Sequence, residues 1–126
     1  MEKPVVLIGK VVHGKALGRT VGMPTANIEV GDESALPESG VYATKIKIDD
    51  KEYQAVTNIG LRPTVDDDLK VTIEAHILDF KEDIYGEEVT LEVHKFLRPI
   101  QKFHSLEEVH AQVKKDIETT RVHFAR

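Results

Sequence analysis

Residues 41–60 read VYATKIKIDDKEYQAVTNIG. Two runs rich in Val, Ile, Thr and Tyr alternate in period two, the side-chain repeat of a β-strand, and the IDDKE between them is a turn signal. The connection from Asp49 to Lys51 is too short for a crossover, so the two runs pair antiparallel as a hairpin. Working outward, VVLIGKVVHG (5–14), KVTIEAHILDF (70–80) and EEVTLEVHKF (87–96) repeat the pattern, and ANIEV (26–30) adds a sixth strand. From Ser105 the period changes. Ser105 and Glu108 form a capping box, and Leu106, Val109, Val113, Ile117 and Phe124 recur at helical spacing as one apolar stripe. A single helix cannot cover both faces of a parallel sheet, so the strands are expected to close on themselves as a small antiparallel barrel with no long exposed edge. The expected bounds are about 4–97 for the barrel and 105–124 for the helix, within one domain over 1–126. GDESALPESG (31–40) reads as a surface loop between strands.

The chain has 126 residues and a net charge of −5. That charge argues against a nucleic-acid or anionic-membrane surface, which needs a basic footprint. No segment approaches the run of about 18 apolar residues that marks a membrane span. There is no cysteine, and the N-terminus lacks the basic and apolar regions of a secretory signal, so a reducing cytoplasm is expected. The charge is uneven: residues 1–27 carry Lys3, Lys10, Lys15 and Arg19 against Glu2 alone, while acids gather in DDD (66–68), KEDIYGEE and the C-terminal segment. A small anion such as a phosphate would be welcome near the N-terminal quarter.

Three stretches carry candidate chemistry. Gly14, Gly18 and Gly22 recur every fourth residue in HGKALGRTVGMPTAN, which lacks the Gly-Lys-Ser/Thr of a P-loop. They suit a flap whose N–H groups approach phosphate oxygens, with Lys15 and Arg19 adding charge, and they suit a plain connecting loop as well. In PTAN, Pro24 stiffens the turn, and Thr25 and Asn27 leave it two residues apart on one side. A hydroxyl and an amide carbonyl are hard oxygen donors of the kind Mg²⁺ accepts alongside waters and phosphates; the same groups can instead satisfy the turn's own backbone. In KVTIEAHILDF, alternation puts Val71, Ile73, Ala75 and Ile77 on one face and Thr72, Glu74, His76 and Leu78 on the other. Glu74 is then a carboxylate in mid-strand, a candidate general base or an ordinary polar-face residue. His76 and His94 lack the spacing of a metal pair.

Taken together the motifs resemble the riboflavin kinase family, in order along nearly the whole chain: GKVVHGKALGRTVGMPTAN, SGVYA, TNIGLRPT, IEAHILDFKEDIYGEEV, FLRPIQKF and the capped helix. The resemblance implies a mainly β fold, a six-stranded antiparallel Greek-key barrel with one C-terminal amphipathic helix. It also implies transfer of the ATP γ-phosphate to the ribityl 5′-hydroxyl of riboflavin, giving FMN and ADP. By the same resemblance Glu74 is the catalytic base, Thr25 and Asn27 hold the Mg²⁺ of Mg-ATP, and Gly14 and Arg19 join them on the nucleotide. Arg98, Gln101 and Phe103 border the flavin. No FMN adenylyltransferase region is seen, so FMN rather than FAD is the expected product, made by a cytoplasmic monomer without nucleic-acid or membrane partners. Two further readings compete. A catalytically silent flavin-binding module would need neither base nor metal cradle. An oligonucleotide-binding barrel would need a basic stripe with interleaved aromatics, and the chain has three tyrosines, four phenylalanines and no tryptophan.

Overall fold

The computed structural model describes residues 4–12, 25–31, 35–63, 69–80 and 82–125, and of 62, 63, 69 and 70 the backbone. Six strands precede one helix: β1 (Val5–Val12), β2 (Ala26–Val30), β3 (Gly40–Ile48), β4 (Lys51–Pro63), β5 (Leu69–Ile77), β6 (Glu88–Arg98) and α1 (Leu106–Phe124). The hairpin read from residues 41–60 is present, running in register from Gly40↔Ile59 to Ile48↔Lys51. Its turn uses Asp49 at φ 55°, a left-handed conformation that aspartate tolerates better than most residues.

The strands close into a barrel in the order β1-β2-β5-β4-β3-β6, every pair antiparallel. The run β6-β3-β4-β5 within that order is a Greek key: three hairpin-linked strands and a fourth that returns beside the first. The return from β5 to β6 is pinned at the barrel end. Asp83 Oδ1 accepts from Tyr85 N at 3.0 Å, and Gly86, at φ 86°, donates its N–H to Val11 O at 2.8 Å. Inward positions of all six strands form the core, including Leu7, Ile28, Ile46, Ile59, Ile73 and Leu91. Among them Thr44 and Thr57 are fully buried, their hydroxyls 2.8 Å apart, with Thr44 donating to Ala55 O at 3.0 Å. The two hydroxyls thereby satisfy each other inside an apolar core.

Val41, Ala43 and Val56 are buried yet lie outside that core cluster, because alternation turns them outward and α1 packs against β3 and β4. The helix starts as its sequence requires. Ser105 Oγ accepts from Glu108 N at 3.1 Å, while Glu108 Oε1 accepts from His104 N at 2.9 Å, one residue before the usual reach of a capping box. The expected apolar stripe faces the barrel except at Leu106. Leu106 is 54% exposed, Val109, Val113, Ile117 and Phe124 are half-buried, and the most deeply buried helical residues are polar, Asp116 at 4% and Thr120 at 0%. The cause lies across the interface: Arg98 at the end of β6 points under the helix and demands a carboxylate. The last turn is held by Arg121 on Asp79 at 3.1 Å and by Phe124 against His94 and Lys45. Beneath it, His94 (3.1 Å) and then Lys47 (3.1 Å) bond Glu92 and hold its carboxyl below the ordinary range despite partial burial.

Candidate functional site

Strand register assembles the site. β2 and β5 pair at only two positions, Ala26↔Ala75 and Asn27↔Glu74, and on its other edge β5 sets Glu74 opposite Asn58 of β4. Ala26 and Ala75 belong to the interior face, so alternation sends Asn27, Glu74 and Asn58 outward in one cross-strand row. Adjacent strands lie ~4.8 Å apart, so the three backbones span about 10 Å across the row. Asn27 and Glu74 are half-buried and Asn58 is exposed. Thr25, one residue before β2, is half-buried, and continuing the alternation puts it on the side of Asn27.

Beyond Asn27 the two strands separate. A pocket of about 170 Å³ opens there, lined by Val12, Asn27, Ile28, Glu29, Val30, Val71, Thr72 and Ile73. Asn27 therefore has a hydrogen-bonded strand position on one side and open volume on the other. On the β4 side the surface has a different floor. Gly60, paired with Thr72, has its outward space already filled: a Cβ there would stand 2.7 Å from Thr72 Oγ1 and 3.9 Å from Ile100 Cδ1. Glycine lets the Thr72 hydroxyl lie flat beside the row. Ile100, 52% exposed, overhangs it from the segment after β6.

Arg98 lies on the same row two strands further on, through Asn58↔Val41 and Val41↔Arg98. Its guanidinium is already committed. Nε and Nη2 grip Asp116 at 3.1 and 2.8 Å, Nη1 donates to Pro99 O at 3.3 Å, and the Phe103 ring lies 5.8 Å from Cζ. Gln112 adds a further donor to Asp116 at 3.0 Å. Arg98 thus fixes helix, strand end and the segment carrying Ile100, Gln101 and Phe103, with Gln101 exposed and Phe103 half-buried.

The structure thus brings Thr25, Asn27 and Glu74 together. It sets Arg98, Gln101 and Phe103 at the far end of the same outer surface, with Ile100 reaching back. Gly14 and Arg19 lie outside the described residues, as do Lys15, Gly18, Gly22 and Pro24. The sequence reading assigned no role to Asn58, Gly60, Thr72, Ile100 or Asp116. For Asn58 and Gly60 the signal was available, since period two in EYQAVTNIG puts both on the outward face. Among the described residues no group of three or more His, Cys, Asp or Glu side chains is arranged to hold a metal ion.

Comparison with known proteins gives this surface a context. The family model Flavokinase, described as riboflavin kinase, matches residues 1–124. A bifunctional riboflavin kinase/FMN adenylyltransferase from Listeria monocytogenes is 42% identical over 123 residues, 98% of this chain and 39% of that protein. The chain therefore spans about two fifths of the curated relatives it matches. Among solved structures, riboflavin kinase from Trypanosoma brucei superposes with a TM-score of 0.73 at 28% identity, covering 98% of this chain and 82% of that one. A chain from Streptococcus pneumoniae described as a macrolide-efflux protein superposes with a TM-score of 0.87 at 39% identity, over 94% of this chain and 38% of that one. The efflux description belongs to a protein mostly outside the match. No helix among the described residues here is long and apolar enough to cross a membrane.

Proposed function

The chain belongs to the riboflavin kinase family, and on that premise we propose that it transfers the γ-phosphoryl group of ATP to the ribityl 5′-hydroxyl of riboflavin, yielding FMN and ADP. One observation carries the reading: a half-buried mid-strand carboxylate, Glu74, stands in direct register with Asn27. Phosphoryl transfer asks little covalent chemistry of a protein. It needs alignment of donor and acceptor, neutralisation of phosphate charge and removal of one proton. Here Glu74 accepts the proton of the ribityl hydroxyl. The hydroxyl oxygen forms its bond to the γ-phosphorus as the bond from that phosphorus to the β–γ bridging oxygen breaks, and ADP leaves with the electron pair.

ATP-dependent phosphorylation generally requires a divalent metal. Asn27 borders open volume, and with Thr25 it offers two hard neutral oxygens, a donor set that suits Mg²⁺ completed by waters and phosphates. Thr25 and Asn27 would hold that ion, which when bound offsets the charge of the phosphates. Gly14 and Arg19 complete the nucleotide side. On the flavin side Phe103, with Ile100, supplies an apolar wall, Gln101 a polar group, and Arg98 the anchor that fixes the segment bearing all three. In this reading the chain acts as a monomer. The lack of cysteine suits a reducing cytoplasmic setting. Residues 1–126 act in this reading as one kinase domain whose product is FMN.

Incubation with riboflavin, ATP and Mg²⁺ followed by chromatography tests the reading against a silent flavin carrier. FMN and ADP accumulate if it holds, whereas bound but unconverted riboflavin after many hours would mean a carrier. The metal assignment has its own test. Thr25→Ala removes a ligand and Asn27→Asp adds a charge, so the Mg²⁺ concentration giving half-maximal rate is expected to shift roughly 10-fold or more in each. Unchanged Mg²⁺ titrations in both variants would reduce the two residues to turn structure.

A further inference from the structure

Resting on the kinase reading, we infer that Asn58 recognises the secondary hydroxyls of the acceptor's polyol chain, and that this contact helps align the terminal hydroxyl with Glu74. The order of groups along the row carries the argument. Asn27, Glu74 and Asn58 occupy three consecutive strands, β2, β5 and β4, in direct register and on one face. In an in-line transfer the donor phosphates and the body of the acceptor lie on opposite sides of the reacting oxygen. With the nucleotide on the Asn27 side of Glu74, the acceptor approaches over Asn58. One strand spacing, ~4.8 Å, separates Asn58 from Glu74. That is the reach of a few carbon–carbon bonds back from a terminal hydroxyl, where a ribityl chain bears its secondary hydroxyls.

The chemistry of the position agrees. Asparagine is disfavoured in mid-strand, and this one is solvent-exposed where a branched residue would serve the sheet better. Its amide offers two donors and an acceptor, a match for vicinal hydroxyls that both donate and accept. Two residues further along β4 on the same face, the space over Gly60 is already taken by the Thr72 hydroxyl, with the Ile100 side chain close by.

The test compares two acceptors in the same proteins: riboflavin, and a flavin whose ribityl group is replaced by an unbranched chain of equal length ending in a single hydroxyl. For Asn58→Ala, kcat/KM with riboflavin is expected to fall about 10- to 100-fold relative to wild type, while kcat/KM with the analogue stays within about twofold. Turnover of the analogue by the variant doubles as the control for folding. Asn58→Gln, which keeps the amide but moves it by one methylene, should fall between. Equal losses with the two acceptors, or no loss with either, would overturn the role of Asn58 while a wild-type chain that makes FMN leaves the kinase reading intact. A wild-type chain that phosphorylates neither acceptor would overturn both.

Discussion

Glu74→Gln is expected to lower kcat by roughly 10²- to 10⁴-fold while changing riboflavin binding by no more than about twofold. The substitution preserves the volume, planarity and much of the hydrogen-bonding shape of the side chain, so the row Asn27, Glu74, Asn58 keeps its geometry. What is lost is the capacity to accept a proton. An interaction made only as the hydroxyl gives up its proton appears in kcat, whereas ground-state contacts appear in KM. Measuring kcat by steady-state turnover and affinity by flavin fluorescence quenching separates the two. A variant with near-normal kcat would make Glu74 a polar-face residue and move the proton acceptor elsewhere.

Asp116→Ala is expected to cost about 3 kcal/mol of folding stability, at the lower end of what breaking a buried ion pair costs. Asp116 has a side chain only 6% exposed and receives both Arg98 and Gln112, while the Arg98 side chain keeps 17% of its surface in water. Removing the carboxylate leaves the guanidinium confined between strand end and helix with no counter-charge. Replacing both partners, Arg98→Met with Asp116→Leu, should recover most of the loss, since an apolar pair avoids the desolvation penalty. By contrast Arg121→Ala, which breaks an exposed pair with Asp79, should change stability very little. Urea denaturation reads all three. A loss below about 1 kcal/mol for Asp116→Ala would mean that α1 is held by its apolar residues after all.

The two predictions mark what was legible in the sequence. Strand identity was, because period two in residues 41–60 and its neighbours is imposed by the pleat itself, and the Asp49–Asp50 turn leaves only a hairpin. The outward direction of Glu74 followed from the same alternation. Register was not. Nothing local in ANIEV or TNIG says that Asn27 and Asn58 flank one carboxylate, because that pairing depends on closure of the barrel through β1 and β6, far away in sequence. Helical periodicity likewise placed the packed face of α1 but not the polar residues buried within it. It ranks residues by apolarity and so says nothing of Asp116, which is buried over Arg98, 18 residues earlier. Gly60 escaped notice for a related reason: its value lies in the Thr72 hydroxyl across the ladder, which only the structure brings within 2.7 Å of the missing Cβ.

The central claim, direct transfer of the terminal phosphoryl group to the flavin's hydroxyl, is tested most directly by following ³¹P resonances of Mg-ATP with riboflavin and this chain. The account predicts that the γ signal disappears as a phosphomonoester and the two signals of ADP grow together in equal amounts, with neither inorganic phosphate nor pyrophosphate released. Inorganic phosphate in place of the ester, pyrophosphate, or an ATP spectrum that never changes would contradict it.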